Sequence, residues 1–456
     1  MSVRPEYLED ASGFRGHAER LCAPAGEDEV LAVLREASRQ AVPVTVSGAG
    51  TGLAGGRVPQ GGWVLSLEKL SRIEIRPGSA LAGAGAILKD LQAAAARTGQ
   101  LYAPDPTEDT ASLGGTIAAN ASGSRSFLYG DTRRHVLALR VALMDGSVLA
   151  VRRGEAVDFD LPALPVPGST KHSAGFRLAP GMDWVDLFAG SEGTLGVILE
   201  AELRLLPQPA GLFTGVVFFP SGEGVLDAVD AWRGVAGLRM IEYLDRASLD
   251  LLRPKYAEIP RGAGGALLFE QDLDDAGEEE MERWDQRLES AGALVEGSWF
   301  AASAQDRERF RRFRHALPET VNDLVRRNGF LKLGSDYAVP PERNREMLTF
   351  YRRLLEAEFA GRYVIFGHIG DAHVHVNILP ASDGEFERGR ELMLEFARQA
   401  VALGGTVGAE HGLGKRKAAL LALQYRPGEI EAMKRVKRRL DPQWLLGRGT
   451  LFPFEE

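Results

Sequence analysis

Two short segments near the C-terminal end of the chain contain most of the side chains that could bind a metal ion. Four of the eight histidines fall there, His368, His373, His375 and His411, together with Glu410. His373 and His375 are two residues apart, so they project from one face if they lie on a strand, and His368 can approach across the intervening turn. Several imidazoles with one carboxylate suit a catalytic zinc ion, with manganese and iron as alternatives. A lone His-x-His pair is equally typical of structural histidines, but the Glu-His pair favours a metal site.

Three glycine-rich segments lie in the N-terminal half, and the first of them could hold phosphate groups. The first, residues 48–56, has five glycines in nine positions and offers backbone N–H groups with no side chains in the way. It is not a Rossmann fingerprint, because the following Arg57-Val-Pro cannot open a helix, and it lacks the Gly-Lys-Ser/Thr of a P-loop. Alone it would be more typical of a mobile surface turn than of a phosphate site. The two other segments are residues 104–123 and 190–196.

The composition excludes several classes of function. The chain has 54 Lys and Arg against 63 Asp and Glu, a net charge of −9, so we expect no nucleic-acid partner. Cys22 is the only cysteine, which excludes an intramolecular disulfide and an iron–sulfur cluster and fits a reducing compartment. Neither a signal peptide nor a transmembrane segment is recognisable. We therefore expect a cytoplasmic protein that reaches a membrane only peripherally, through a partner.

The elements that must position these residues indicate a mixed α+β chain of more than one domain. A helix is predicted over residues 27–40 and another over 87–97, and a strand over 43–47 leads into the first glycine loop. Residues 102–130 predict no continuous helix or strand, which is typical of a functional loop. Two apolar runs, 136–144 and 148–151, flank Asp145-Gly146 and predict a hairpin. We place a domain boundary near Pro207–Pro209, before strands at 216–219 and 266–269.

The glycine-rich segments also carry a resemblance to a known family. The segments Pro104-Asp-Pro…Gly-Gly-Thr-Ile-Ala-Ala-Asn-Ala-Ser-Gly123, Tyr129-Gly-Asp131 and Gly190-Ser-Glu-Gly-Thr-Leu-Gly196 together resemble the FAD-binding half of the vanillyl-alcohol oxidase type flavoproteins. Over residues 20–456 the chain is similar to the branch that contains D-lactate dehydrogenase, D-2-hydroxyglutarate dehydrogenase and the glycolate oxidase catalytic subunit. The resemblance implies a PCMH-type FAD-binding domain of two α/β subdomains over residues 1–207. It further implies a substrate-binding cap domain with an antiparallel sheet over 208–425, and a C-terminal segment, 426–456, that returns to the FAD domain.

The resemblance assigns a large set of residues to FAD. These residues are Ser47, Gly48, Ala49, Gly50, Thr51, Gly52, Leu53, Pro104, Asp105, Pro106, Ser112, Gly114, Gly115, Thr116, Ala118, Asn120, Ala121, Gly123, Tyr129, Gly130, Glu192, Gly193, Gly196, Val197, Ile198 and Asn377. Relatives that bind FAD covalently often use a histidine in the first glycine loop. No histidine occurs in residues 48–56, so we expect noncovalent FAD.

The histidine segments match the family's GHxGDGNLH and EHG motifs, which gives their residues expected roles. The resemblance implies that His368, His375 and Glu410 bind the metal ion and that His411 is the general base. The chain departs from the motif at Ala372 and His373, so His373 is either an additional ligand or a substrate contact. Asn377 is expected to contact the substrate or the flavin.

Two cations match by position the carboxylate-binding residues of the family, Arg314 and Lys332. Arg314 is flanked by several other arginines, so its pattern also fits a solvated helix face. Lys332 lies between Leu331 and Leu333 in what reads as an apolar strand, where a lysine is less expected for structural reasons. The C-terminal end departs from the family as well, with Gly447-Arg-Gly-Thr450 in place of an Asn-Pro-Gly-Lys stretch.

We therefore expect an FAD-dependent dehydrogenase that oxidises a small 2-hydroxy acid, D-lactate or a related D-2-hydroxy acid, to the 2-oxo acid. The alternatives are the FAD subunit of a glycolate oxidase, a noncatalytic FAD-binding subunit of a larger complex, and, from the histidine segments alone, a metallohydrolase. Reduced flavin needs a separate electron acceptor, for which electron-transfer flavoprotein, a quinone, a cytochrome and an iron–sulfur subunit are the candidates. A homodimer is compatible with these features.

Overall fold

The structure is a computed structural model that describes residues 3–273 and 277–453. The elements before the predicted boundary are β1 Arg20–Cys22, α1 Glu27–Arg39, β2 Val44–Ser47, β3 Trp63–Ser66, β4 Ile73–Arg76, β5 Ser79–Gly83, α2 Leu88–Ala96, β6 Gln100–Leu101, α3 Leu113–Ala119, α4 Ser126–Tyr129, β7 Val136–Ala142, β8 Val148–Arg152, α5 Trp184–Phe188, β9 Val197–Arg204 and β10 Leu206–Pro207. The later elements are β11 Gly211–Phe219, α6 Gly222–Trp232, β12 Leu238–Asp245, α7 Arg246–Leu252, β13 Gly265–Leu273, α8 Gly277–Ser290, β14 Trp299–Phe300, α9 Ala304–Arg327, β15 Leu333–Gly334, α10 Asn344–Phe359, β16 Tyr363–Gly367, β17 His375–Ile378, α11 Asp383–Ala402, α12 Leu421–Gln424 and α13 Pro427–Leu440.

A three-stranded parallel sheet of order β1-β3-β2 forms the first subdomain. Helix α1 buries one apolar stripe that includes Val30 and Leu34, as the spacing of these residues predicts. The strand predicted at 43–47 is β2, which ends at Ser47 directly before the first glycine loop. These predictions are confirmed, and β2 places that loop at the edge of the sheet.

A five-stranded antiparallel sheet of order β4-β5-β9-β7-β8 forms the second subdomain. The predicted hairpin is β7–β8, and Gly146 in its turn has a φ of +79°, a left-handed conformation that favours glycine. Helix α2 corresponds to the helix predicted over 87–97. Strand β9 pairs with both β5 and β7 and begins at the end of the 190–196 segment, so the sheet holds this third glycine-rich segment.

The prediction that residues 102–130 form no helix is wrong, because α3 and α4 lie within this stretch. Gly114 and Gly115 lower the helix propensity of α3, which is why the sequence did not indicate it. A Cβ atom at Gly114 would lie 2.7 Å from the Cβ of Ala84, so glycine allows α3 to pack closely against the chain that follows β5. The helix ends at Asn120, whose φ of +50° is left-handed.

A seven-stranded sheet of order β14-β11-β13-β12-β16-β17-β15 forms the cap, and all of its pairings are antiparallel. The sheet confirms the antiparallel cap that the resemblance implies. Strand β17 pairs with β16 so that His375 lies opposite Phe366. His368 directly follows β16 and His375 begins β17, so two neighbouring strands of the sheet position both histidines.

The C-terminal residues return to the first subdomain. The N–H of Val44 donates to the carbonyl of Leu445 (2.8 Å), and the N–H of Gly447 donates to the carbonyl of Val44 (2.9 Å). The ammonium of Lys437 on α13 donates to the carbonyl of Thr194 in the third glycine-rich segment (2.7 Å). The expected return of the chain end to the flavin-binding half is confirmed, although Gly447–Thr450 departs from the family pattern. In the described part of the chain, no helix has the length and apolar character that a membrane span requires.

Candidate functional site

A cavity of about 310 Å³ opens between the glycine-rich segments. Of the residues predicted to bind FAD, those that line it are Gly48, Ala49, Gly50, Thr51, Gly52, Leu53, Pro106, Ser112, Gly114, Gly115, Thr116, Ala118, Ala121, Glu192, Gly193, Gly196 and Ile198. They come from three distant parts of the chain and form one wall. We call this space the flavin cavity.

The remaining predicted FAD residues lie behind the wall of the cavity or away from it. They are Ser47, Pro104, Asp105, Asn120, Gly123, Tyr129, Gly130, Val197 and Asn377. Asp105 forms an ion pair with Arg125, and the Tyr129 hydroxyl donates to Asp272. The side chain of Asn120 donates to Asp131 at 2.8 Å and accepts from the N–H of Arg133 at 2.9 Å. These contacts brace the loops that carry the lining residues.

Arg57 donates hydrogen bonds to the start of the first glycine loop and also lines the flavin cavity. One guanidinium nitrogen, Nη1, donates to the carbonyl of Gly48 (2.7 Å) and to Ser47 Oγ (3.2 Å). Gly50 has a φ of +87°, which disfavours a larger residue, and a Cβ atom there would lie 2.6 Å from the Arg57 guanidinium carbon. The bare backbone of this cradle fits the pyrophosphate of FAD. An arginine directly after the loop was the available signal for this residue, which sequence reasoning used only to exclude a Rossmann helix.

The predicted metal ligands come together in the structure. One ligand atom from each of His368, His373, His375 and Glu410 lies within 4.8 Å of the others. His373 is fully buried; its Nε2 lies 3.2 Å from Asp336 Oδ1, and its Nδ1 makes no hydrogen bond within the described residues. A buried imidazole nitrogen without a partner, beside two more imidazoles and a carboxylate, fits a divalent metal ion. We call these four residues the metal cluster.

Glu242 holds His368 in place from the central strand β12. Its Oε1 lies 2.5 Å from His368 Nδ1, and its Oε2 accepts a hydrogen bond from Arg314 Nε at 3.0 Å. His368 Nε2 is then directed at Glu410 Oε2, 3.3 Å away. Burial alone would raise the pKa of Glu242, but the charges of Arg314 and His368 hold this pKa well below its usual range. Sequence reasoning missed Glu242, for which a glutamate within an apolar strand was the signal.

Asp336 orients the loop that carries His411. It accepts the backbone N–H groups of Glu410 (3.3 Å) and His411 (2.9 Å), and its Oδ1 lies 3.5 Å from His411 Nδ1. The His411 ring stacks on His375 with centroids 5.6 Å apart. Burial lowers the pKa of His411 to about 4 although Asp336 opposes the shift, so its imidazole is neutral near pH 7 and can accept a proton. Sequence reasoning missed Asp336 as well.

Lys171 joins the flavin-binding half to the metal cluster. Its ammonium donates to Glu410 Oε1 (2.6 Å) and to the carbonyl of Gly123 (2.7 Å). The same oxygen of Glu410 accepts from Ser122 Oγ and from the Gly123 N–H, both at 2.8 Å. Lys171 lies in the long connection between β8 and α5, where no sequence signal distinguishes it. Gly123 thus binds the cluster and does not line the flavin cavity, whereas Ala121 and Ser122 before it do line that cavity.

A second cavity of about 660 Å³ adjoins the flavin cavity, and His368, His375 and His411 line both. Arg314, Lys332 and Asn377 line it as well. We call it the substrate cavity. His373 lines neither cavity.

The three predicted substrate residues differ in their surroundings. The guanidinium of Arg314 donates one hydrogen bond to Glu242. Both polar side-chain atoms of Asn377 are buried and make no hydrogen bond within the described residues. Lys332 precedes β15 instead of lying within a strand, and Leu331 before it is 53% exposed. The expectation of an apolar strand around Lys332 is therefore wrong, because β15 begins only at Leu333.

Comparisons with known proteins agree with this geometry. Residues 18–152 match the model of the FAD binding domain, and residues 209–451 match that of the FAD linked oxidases, C-terminal domain. The chain is 31% identical to a D-lactate dehydrogenase of Archaeoglobus fulgidus over 94% of this chain and 90% of that protein. It is 30% identical to the glycolate oxidase subunit GlcD of Bacillus subtilis over 98% and 92%, and 29% identical to a D-2-hydroxyglutarate dehydrogenase of Xanthomonas citri over 95% and 89%.

The chain belongs to the FAD-linked oxidases. It is an FAD-linked oxidoreductase of the group that contains D-lactate dehydrogenase, the glycolate oxidase subunit and D-2-hydroxyglutarate dehydrogenase, which confirms the resemblance. A solved structure of alkyldihydroxyacetonephosphate synthase shares the fold, with a TM-score of 0.68 at 16% identity over 96% of this chain and 77% of that chain.

Proposed function

We propose that the protein is a dehydrogenase that oxidises a small 2-hydroxy acid, D-lactate or a related D-2-hydroxy acid, to the 2-oxo acid. One observation carries this proposal. His368, His375 and His411 line both the flavin cavity and the substrate cavity, so a substrate beside them faces the flavin. The A. fulgidus and B. subtilis relatives are named for oxidising acids of this kind.

Two groups that the chain would hold supply part of the chemistry. FAD, held noncovalently by the backbone of the flavin cavity, supplies the acceptor for the hydride of the substrate's α-carbon. A divalent ion held by His368, His375 and Glu410, with His373 adjacent, supplies a Lewis acid for the hydroxyl oxygen, and zinc is the first candidate before manganese and iron.

The side chains of the protein bind and deprotonate the substrate. Arg314 and Lys332 bind the carboxylate end, because both cations line the substrate cavity. Asn377 offers an amide with no other hydrogen-bond partner in the described residues. His411 accepts the hydroxyl proton as a neutral imidazole, and Asp336 keeps its loop in position.

The FAD subunit of a glycolate oxidase is the second candidate, since two GlcD relatives at 30% identity match nearly the whole chain. Both candidates need a separate electron acceptor. The presence of the complete metal cluster and of His411 favours a catalytic chain over a noncatalytic FAD-binding subunit.

Anaerobic reduction of the bound flavin tests the proposal. D-lactate, L-lactate, glycolate and D-2-hydroxyglutarate are added in turn to the purified yellow protein, and the flavin absorbance is followed. We expect at least one of these acids to bleach the flavin, a chelator to abolish the bleaching, and added zinc or manganese to restore it. Absence of bleaching by every acid contradicts the dehydrogenase, and unchanged bleaching after chelation contradicts the metal.

A further inference from the structure

His373 occupies the position at which the GHxGDGNLH motif has an asparagine. Its side chain is fully buried, with 0% exposure. Ala372 before it replaces a glycine of the motif and has a φ of +51°, a left-handed conformation that is strained for alanine. Such strain is concentrated at functional sites. The two departures from the motif therefore place a buried imidazole directly after a strained turn.

The turn brings the imidazole of His373 to the other two histidines of the metal cluster. The carbonyl of His368 accepts the N–H groups of Asp371 (3.0 Å) and His373 (3.1 Å), which closes the turn. The ring centroid of His373 lies 5.3 Å from that of His368 and 4.6 Å from that of His375. One ring nitrogen of His373 lies within 4.8 Å of a ligand atom of each of the other three cluster residues. This spacing is close to the roughly 4 Å that separates opposite ligand atoms of one divalent ion.

Asp336 leaves one nitrogen of this ring free. Nε2 of His373 lies 3.2 Å from Asp336 Oδ1, whereas Nδ1 has no hydrogen-bond partner within the described residues. An ionised carboxylate accepts hydrogen bonds and donates none, so the proton of a neutral His373 belongs on Nε2, and Nδ1 carries the lone pair. A buried lone pair without a donor is costly, and a metal ion at Nδ1 removes that cost.

The other two histidines of the metal cluster show the same arrangement. His368 directs Nδ1 at Glu242 Oε1 (2.5 Å), and His375 directs Nδ1 at the carbonyl of Ser335 (3.0 Å). In each of the three rings, one nitrogen thus faces an oxygen acceptor of the protein and the other nitrogen stays available. Metal-binding histidines almost always have such an outer partner, which fixes the orientation and the proton of the ring. In this respect His373 is equivalent to His368 and His375.

A ligand at the position of His373 leaves room for the substrate. His368 and His375 line both cavities, Glu410 lines the flavin cavity, and His373 lines neither. His373 therefore occupies none of the space in which the substrate would lie. A catalytic metal site needs open positions on the side of its substrate, and binding by His373 keeps that side open.

We infer that His373 is a fourth protein ligand of the ion, which is then held by three imidazoles and one carboxylate. The inference rests on the proposed function and deepens it. A 2-hydroxy acid offers two further oxygen atoms, from its hydroxyl and its carboxylate, so the ion has six donors in all. Zinc in catalytic sites takes four or five ligands, and six donors favour an octahedral ion, manganese or iron(II). Zinc is the first candidate for three protein ligands, and the fourth ligand reverses that order.

Proton NMR of the cobalt-loaded protein counts the bound imidazoles without any turnover. Co²⁺ is paramagnetic and shifts the ring N–H proton of each bound histidine far outside the normal range. We expect three such signals from the flavin-containing protein and two from His373→Asn, which restores the residue of the motif. His17→Asn, at an exposed histidine, should keep all three signals. Two signals from the unaltered chain overturn the inference whether or not the variant folds, and three signals from a folded His373→Asn overturn it as well.

The preference for an octahedral ion is tested by metal replacement. The apoprotein is loaded with Mn²⁺ or Zn²⁺, and flavin reduction by a 2-hydroxy acid that bleaches it is followed by stopped flow. We expect reduction at least tenfold faster in the manganese form, and His373→Asn should remove this advantage and bind Mn²⁺ at least tenfold more weakly. Faster reduction in the zinc form overturns the preference. Two cobalt-shifted signals with bleaching overturn the fourth ligand and leave the proposed function intact, whereas three signals without bleaching by any acid contradict the proposed function alone.

Discussion

The ammonium of Lys171 lies 2.6 Å from Oε1 of Glu410, and the two side chains are only 2% and 10% exposed. The same ammonium lies 3.3 Å from Asp371 Oδ2. Ser122 and Gly123 also donate to Oε1, so all of these partners of this oxygen lie in the flavin-binding half. The other oxygen, Oε2, faces His368. One buried ion pair therefore connects the loop next to the flavin with the metal cluster.

Replacement of Lys171 by methionine should destabilise the protein strongly. The variant keeps the apolar stem of the side chain and leaves Glu410 and Asp371 without their counter-charge. Removing one partner of a buried ion pair typically costs about 3–5 kcal/mol. The thermal unfolding midpoint of the flavin-containing protein measures this loss. Lys255→Met, at an exposed position, is the control, and equal midpoints for the two variants would show that Lys171 is not a counter-ion.

The parts of the site that the sequence predicted are those that local motifs encode. The glycines of the first loop all lie within residues 48–56, and their spacing indicates a backbone cradle. The three histidines of the metal cluster lie within residues 368–375, and their spacing indicates converging imidazoles. The hairpin at Gly146 and helix α1 follow in the same way from short-range patterns. These predictions agree with the structure because interactions between residues close in sequence determine a tight turn and the apolar face of a helix.

The supporting residues could not be predicted, because they come from distant parts of the chain. Lys171 and Glu410 are 239 residues apart in sequence, and Glu242 and His368 are 126 residues apart. No local pattern predicts which buried lysine or glutamate will face a given histidine. Helix α3 was missed for a related reason, since Gly114 disfavours a helix locally and is required by its tertiary contact with Ala84.

Loss of a cluster residue should remove the metal ion. We expect the isolated protein to contain stoichiometric divalent metal, and His375→Ala and Glu410→Gln to weaken metal binding at least as much as the roughly 10–100-fold that loss of an outer-shell partner causes. Elemental analysis and competition with a chelator measure the affinity. His17→Ala, at an exposed histidine, should bind the metal as the unaltered chain does. Equal metal content in all of these variants would contradict the metal cluster.

Replacement of His411 by alanine should separate flavin binding from catalysis. The variant should remain yellow, since the glycine-rich segments supply most of the lining of the flavin cavity, and should lose the proton acceptor. Loss of a general base reduces rates by about 10²–10⁴-fold. Stopped-flow reduction of the flavin by a saturating 2-hydroxy acid measures the effect, and a rate like that of the unaltered chain would exclude His411 as the base.

Two glycines in helices form a matched pair for the flavin cavity. Gly114→Ala brings a Cβ atom to 2.7 Å from the Cβ of Ala84 in the wall of the cavity, whereas Gly384→Ala in α11 meets open space. We expect Gly114→Ala to cost about 1–3 kcal/mol and to weaken FAD retention. Gly384→Ala, at an exposed position in the first turn of α11, should change the stability by no more than about 0.5 kcal/mol. Thermal unfolding and flavin content after dialysis measure both effects, and retention of FAD by Gly114→Ala at the level of Gly384→Ala would contradict the close packing of α3.

Glu192 connects the flavin cavity to the loop after His411 and should make stability depend on pH. Its carboxylate accepts the N–H groups of Leu413 (2.9 Å) and Gly414 (2.7 Å). Burial raises the pKa of Glu192 from its ordinary value of 4.5 to about 7. Between these two values the unfolded chain has released the proton that the folded chain retains. The contribution of Glu192 to the free energy of unfolding is therefore greatest below pH 4.5. It falls by on the order of 3 kcal/mol as the pH rises to 7.

Glu192→Gln removes this titration and thereby tests it. The glutamine can accept only one of the two N–H groups, which costs stability equally at every pH. The difference in unfolding midpoint between the variant and the unaltered chain should then shift in favour of glutamine as the pH rises from 5 to 8. Glu289→Gln, at an exposed glutamate, should show no such shift. A constant difference for Glu192→Gln across this range would mean that Glu192 is ionised throughout, and the two N–H groups together with Lys415 would then outweigh its burial.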